Sequence, residues 1–260
     1  MIRQPAFSGS FYPAEPVELR QALTTYVTQV KSRPKFVPKA LIVPHAGYIY
    51  SGRIAASAYA LLESLADSIH RVVLLGPSHR VALRGLATSS ASAFHTPLGD
   101  VVVEQKAVTT LADFLQVTIN DGAHHLEHSL EVQLPFLQAV LKDFEIVPLV
   151  VGETAPQAVA EVLDCLWGGP ETLIVVSSDL SHYLSYAQAQ QKDAQTTAAI
   201  AALDEDKLDK PGACGFFSVC GLLMVARSHQ LKVRVLDVRN SGDTAGDKTR
   251  VVGYGAYAFL

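Results

Sequence analysis

Three apolar runs of this sequence end in polar residues that a plain turn would not need. Leu41 to Val43 runs into Pro44-His45-Ala46-Gly47-Tyr48, and Val72 to Leu75 runs into Gly76-Pro77-Ser78-His79-Arg80. Leu173 to Val176 runs into Ser177-Ser178-Asp179-Leu180-Ser181-His182. Neutral imidazole is the commonest protein metal ligand, and two His with a third, anionic ligand leave positions open for substrate or oxygen. Taken singly, each His reads as a hydrogen-bonded loop residue; in matching places, His45 and His79 read as a ligand pair. Asp179 either caps a following helix or joins the same cleft. His182, three residues on, shares its face if that helix has begun.

Two further segments carry chemistry. Asp121 to Glu131 packs His124, His125, His128, Glu127 and Glu131 into eleven residues. Helical spacing places Glu127 with Glu131, and His124 with His128, on one face. The plainer reading is an acidic helix start favoured by the dipole, and a place at the rim of the main site reconciles the two. Cys214 precedes the apolar run Phe216 to Ala226 and is flanked by Ala213 and Gly215. At a helix N-terminus a thiol can be activated for ligation or attack. Cys165 and Cys220, within apolar helical sequence, read as small buried hydrophobes.

The elements that must position these residues follow from periodicity. Leu41–Val43, 72–75, 146–151 and 173–176 are continuous apolar runs separated by helical sequence. That pattern indicates parallel strands covered on both faces. A helix is expected from about Arg53 to Ala66, where Ile54, Ala58, Leu61, Leu62 and Leu65 recur at helical spacing. Residues 86–103 read as a hairpin at the sheet edge, and 232–238 with 251–259 as a closing strand pair. Pro135 makes the helix near 127–141 kink or start twice. No linker or repeat interrupts the 260 residues, so a single α/β domain over 1–260 is expected. In its sheet, ligands bind beyond the carboxyl ends of the strands, the rim to which His45, His79, Asp179 and His182 are delivered.

Composition narrows the classes. Charged residues are 18% and apolar residues 49% of the chain, which excludes disorder. A net charge of -4 leaves no basic footprint for nucleic acid, and no apolar run is long enough for a membrane span. Three scattered Cys and the absence of a signal peptide at the start point to a cytoplasmic setting with free thiols. Serine-elbow, phosphate-loop and His-Glu-x-x-His signatures are absent.

The motifs, taken together and in order, resemble the Memo family. They are Pro44 to Tyr48, Gly76 to His79, Glu127 to Glu131, Ser177 to Asp179 with His182, and Cys214-Gly215. Phe11-Tyr12-Pro13 at the start, and Asn240 to Asp243 with Gly253-Tyr254 at the end, extend the likeness over the whole chain. Bacterial and archaeal members are called the B component of the AmmeMemoRadiSam system, which implies an AMMECR-type protein and a radical SAM protein as partners. The resemblance implies a fold similar to the class III extradiol dioxygenases, which use non-haem Fe(II). It also implies a metal held by His45, His79 and Cys214, with His182 as acid/base beside Asp179. Where those dioxygenases have a carboxylate, this sequence has Cys214, a softer and oxidisable donor that speaks against ring cleavage.

The leading expectation is a metal-dependent redox enzyme carrying Fe(II), with Cu or Zn as other metals. Its cleft would be lined by Tyr48, Ser78, Arg80, His125, Glu127 and His128, and its substrate would be a small molecule or a peptide. An adaptor that binds a phosphopeptide through the same cleft, and a zinc-type hydrolase, are the competing functions.

Overall fold

The computed structural model describes residues 1–31 and 36–260. In chain order the first elements are β1 (Ile2–Arg3), α1 (Pro16–Thr28), β2 (Ala40–Val43), α2 (Tyr48–Tyr59) and β3 (Arg71–Pro77). Next come β4 (Leu86–Thr88), β5 (Ala93–Thr96), β6 (Gly99–Val103), α3 (Gln105–Leu111), β7 (Val117–Ile119) and α4 (Asp121–His125). They are followed by α5 (Leu134–Val140), β8 (Glu145–Val151), α6 (Pro156–Cys165) and β9 (Thr172–Ser177). The last are β10 (His182–Leu184), α7 (Tyr186–Ala201), α8 (Phe216–Ser228), β11 (Val233–Asn240), α9 (Ser241–Thr244) and β12 (Val251–Phe259).

The four apolar runs become the centre of the sheet because only strands buried on both faces can absorb them. The order is β1-β5-β6-β8-β3-β9-β2-β12-β10. From β8 through β3 and β9 to β2 the pairing is parallel, with Leu74 opposite Pro148 and Val175, and Ile42 opposite Val176. β12 closes this block antiparallel to β2 and also pairs with β11 and β10. Of the 86–103 segment expected as a hairpin, only β5 with β6 forms one, at the β1 edge, while β4 pairs with β7 and β8.

Period-2 alternation divides the strands between two cores. Leu41, Val43, Leu74 and Val175 face α1, α2 and α5 with Leu19, Ile54 and Phe136. Ile42, Val73, Ile174 and Val176 face α6 and α8 with Val159, Leu163, Val219 and Leu222. Each such side chain contributes roughly 1.5–3 kcal/mol by leaving water. The sheet is thus covered on both faces, and its strand ends are the positions left for a site.

Three local readings change. α2 begins at Tyr48 rather than near Arg53, and its last residues tighten into a 3-10 turn over Ala60–Leu65. The helix expected over 127–141 starts late, without a kink or a second start: a 3-10 turn over Glu131–Gln133 leads into α5, which begins at Leu134 with Pro135 in its first turn. There a missing N–H costs nothing. Residues 126–130 between α4 and that turn are not helical, so Glu127 and Glu131 share no helix face. Nor does a helix follow Asp179; His182 opens the short strand β10 instead.

His124 supplies a pH dependence from within the core. It is buried, and its Nε2 donates to the Ala87 carbonyl at 2.9 Å. Burial lowers its pKa from 6.5 to about 4, which the hydrogen bond to Ala87 only partly offsets. The unfolded chain therefore binds this proton between pH 6.5 and 4 while the folded chain does not. Stability attributable to His124 should fall across that window on acidification, by on the order of 3 kcal/mol. His124→Gln should flatten that part of the urea-midpoint profile. An unchanged profile would remove His124 as its source.

Candidate metal centre

His45 leaves β2 by two residues, and its backbone is fixed before its ring is. Its N–H donates to Asp179 Oδ1 at 2.8 Å, so the β9 end holds the β2 end. The ring is fixed by a buried relay. Ser177 Oγ donates its one proton to the Ser129 carbonyl at 2.6 Å and accepts from Gln133 Nε2 at 2.8 Å. Gln133 cannot be flipped, because Nε2 also donates to the Pro44 carbonyl and Oε1 receives the Tyr59 hydroxyl. Ser177 is thus left as an acceptor toward His45 Nδ1, 2.8 Å away. The proton sits on Nδ1, so Nε2 presents its lone pair, toward the Cys214 sulfur at 3.2 Å.

His79 reaches the same state by another route. Glu127, with a fully buried side chain, accepts the His79 N–H at 2.6 Å and its Nδ1 at 2.9 Å. Burial pushes the Glu127 carboxyl up, but the His79 ring and the amides of His79 and Ser129 outweigh it and bring it to about 2. An ionised carboxylate only accepts, so His79 also carries its proton on Nδ1. An outer partner that fixes tautomer and ring direction is the usual companion of a metal-bound His.

His128 completes the group. The ligand atoms of His45, His79 and His128 all lie within 4.8 Å of one another. The His79 and His128 rings stack at 4.5 Å, with His45 edge-on to both at 5.1 and 5.3 Å. Burial, then the neighbouring His45 and His79, lowers His128 to about 3. His45 is pushed well below its ordinary value by burial first and His79 second. Neutral imidazoles are the form a metal needs. His128 Nδ1 is also buried without a hydrogen bond, its nearest carboxylate oxygen, Glu127 Oε1, standing 3.4 Å away, in an interior where such atoms are nearly always paired.

Cys214 stands beside this trio. Its Sγ lies 3.2 Å from His45 Nε2 and accepts the Asp179 N–H at 3.2 Å. The former separation suits two donors held side by side on one ion, with bonds of roughly 2.0 and 2.3 Å. The turn reaches so deep because Gly215 follows: a Cβ there would stand 2.8 Å from Ser178 Cβ. Burial first, and the Asp179 carboxyl second, push the free thiol up; a dication would reverse that preference. The residues present therefore fit a metal, and their N and S atoms suit Fe, Cu or Zn rather than Mg or Ca.

The other expected site residues divide. Asp179 is buried and serves His45, not His182, to whose ring it makes no hydrogen bond among the described residues. His182 is half-exposed on β10 and near enough for its charge to act on His45 and Asp179. Tyr183 beside it holds φ at 58°, a strained value for a bulky residue. Tyr48 is corrected from rim to core: it is buried and its hydroxyl donates to the Val132 carbonyl. Glu127 and His128 lie within the cluster rather than at its edge. Ser78 ties down its own loop through the Val81 carbonyl. Arg80 lies over the Phe7 ring at 5.8 Å, and His125 is exposed outside the group. The relay of Ser177, Gln133 and Ser129 was missed; only its place at the end of β9 and in the 127–133 segment hinted at it.

A family model described as Memo-like protein matches residues 3–258. The chain belongs to the Memo family. Among curated Memo relatives, a MEMO1 family protein of Aquifex aeolicus is 35% identical over 100% of this chain and 99% of its own. One of Aeropyrum pernix is 36% identical over 98% of each. A crystal structure of an uncharacterized Escherichia coli K12 protein shares the fold at a TM-score of 0.54 and 12% identity. It is covered over 98% of its length and covers 84% of this chain. Among the described residues no helix of this Memo chain is long and apolar enough to cross a membrane.

The relay makes a test within the site. Gln133→Leu leaves Ser177 free to rotate and donate to His45, favouring the wrong tautomer. Metal affinity should fall roughly 10–100-fold, the usual cost of losing an outer partner. Competition with a chromogenic chelator measures it, and unchanged affinity would remove the relay from the site.

Proposed function

We propose that this chain is a metal-dependent redox enzyme whose ion is held by His45, His79 and His128, with the Cys214 thiolate as a further donor. The carrying observation is the convergence of three imidazoles whose ligand atoms lie within 4.8 Å of one another, with a thiol 3.2 Å from one of them. Iron is the first candidate and copper the second, since an imidazole and thiolate set suits both. When bound, such an ion supplies one-electron chemistry and polarises what is attached to it.

The protein's own part is positioning. Asp179 and Ser177 orient His45, and Glu127 orients His79. His182, half-exposed at the mouth and without an ion pair among the described residues, takes or returns a proton at its imidazole. Phe7 and Phe11, whose rings lie 5.3 and 4.8 Å from that of His128, limit water on that side.

The test is anaerobic reconstitution with Fe(II), Cu(I) and Zn in competition, followed by oxygen uptake with small reductants and catechol-like compounds. Preferential retention of iron or copper, with uptake that His182→Gln slows, is the expected result. Zinc preference with esterase or amidase turnover would point to hydrolysis instead. Failure to retain any metal, with phosphopeptide binding at the cleft, would replace the enzyme by an adaptor.

A further inference from the structure

A second cavity, of about 950 Å³, opens between α1, α2 and β11, and none of the clustered histidines lines it. Its charged walls are Lys31 after α1, Arg53 on α2, and Arg234, Asp237 and Arg239 on β11. Among the described residues four cations thus face one carboxylate, in a chain that has only 21 Lys+Arg and a net charge of -4. The carboxylate is already engaged: Arg239 holds Asp237 at 2.9 and 3.0 Å, and the Ser57 hydroxyl reaches it at 3.4 Å. Lys31, Arg53 and Arg234 form no ion pair among the described residues.

Two features of the backbone shape this space. The β11 register shifts between Val235 and Asp237, and such bulges re-aim side chains at functional edges. Residues on both sides of the shift, Arg234 and Arg239, line the cavity. On the facing wall, Gly52 lets the Tyr26 ring lie against α2; a Cβ there would stand 2.9 Å from Tyr26 Cε2. Tyr26 and Phe36 give the cavity an aromatic side.

We propose that this cavity binds a small organic phosphate of the nucleoside diphosphate type. Guanidinium groups match phosphate oxygens in bidentate geometry, and Arg53 and Arg234 bring two of them from separate elements, with Lys31 adding a third charge. The base packs on Tyr26 and Phe36, a contact open to any flat ring. The volume lies within the roughly 300–1,000 Å³ of small-molecule sites.

The experiment is calorimetric titration of the full chain with ADP and with inorganic pyrophosphate. ADP should bind saturably, and more tightly than pyrophosphate. Arg53→Glu and Arg234→Glu, on different elements, should each weaken ADP by roughly tenfold or more with melting temperatures retained. His45→Ala should leave ADP binding unchanged, since the metal centre is elsewhere. Absence of saturable ADP binding would overturn the proposal, as would binding lost in His45→Ala but kept in both Arg variants. Pyrophosphate binding as tight as ADP would overturn the nucleoside assignment.

Discussion

His45→Ala is expected to lower metal affinity by more than the roughly 100-fold that marks the upper end for an outer partner. The reason is that His45 is the one residue adjacent to every other donor: His79, His128 and the Cys214 sulfur. Its ring is also pre-set by Ser177, so no reorganisation is needed on binding. His128→Ala should follow it closely, because its ligand atom lies within 4.8 Å of both partners. Cys214→Ser should cost less at neutral pH. Burial and Asp179 hold that thiol well above its ordinary range, so it must give up a tightly held proton before it can ligate. Removing it should nonetheless shift the preference away from Cu(I), the softest of the candidates. Elemental analysis after anaerobic purification, with chelator competition, reads all three variants. Full occupancy in His45→Ala would sink the site, and loss in Cys214→Ser with retention in His128→Ala would return the third position to sulfur.

The histidines at strand ends were legible because two simple rules coincide there. Parallel strands deliver their carboxyl ends to one rim, and His45 and His79 each follow a run that can only be such a strand. His128 was not legible as a member of the trio. Its segment mixes helical spacing with loop residues, and only the break between α4 and α5 lets 126–130 turn His128 toward His45. The same break separates the two glutamates by role. Glu127 turns to His79, while Glu131 turns to the N-terminal segment. Tyr48 misled because its motif neighbours point to the cleft; helix α2 starts at this residue and directs its ring into the core against Phe136. Spacing cannot reveal an acceptor such as Ser177, whose meaning lies in which hydrogen bonds its neighbours have already used.

Glu131→Ala is expected to destabilise the fold by about 3–5 kcal/mol, the cost of leaving a buried charge without its partner. The Glu131 side chain is fully buried and paired with Arg3 Nη1. It also accepts the Ala6 and Phe7 amides at 2.9 and 2.8 Å and the Tyr12 hydroxyl at 2.6 Å. One carboxylate thereby fastens residues 3 to 12 to the body of the domain. Against typical stabilities of roughly 5–15 kcal/mol, such a loss should appear as a large drop in the urea midpoint. An effect below about 1 kcal/mol would mean that the anchor contributes little. Arg3→Met combined with Glu131→Leu should recover part of the loss, since an apolar pair leaves no stranded charge. The effect should also reach the metal centre. Arg3 donates to the His124 carbonyl at 3.2 and 3.1 Å and to the Glu127 carbonyl at 2.9 Å, holding the loop that carries Glu127 and His128. Phe7 and Phe11 press on the His128 ring from the same strap. Metal affinity measured on the still-folded fraction should therefore fall in Glu131→Ala, although the residue touches no ligand. Unchanged affinity at reduced stability would confine Glu131 to folding and uncouple the N-terminal strap from the imidazoles.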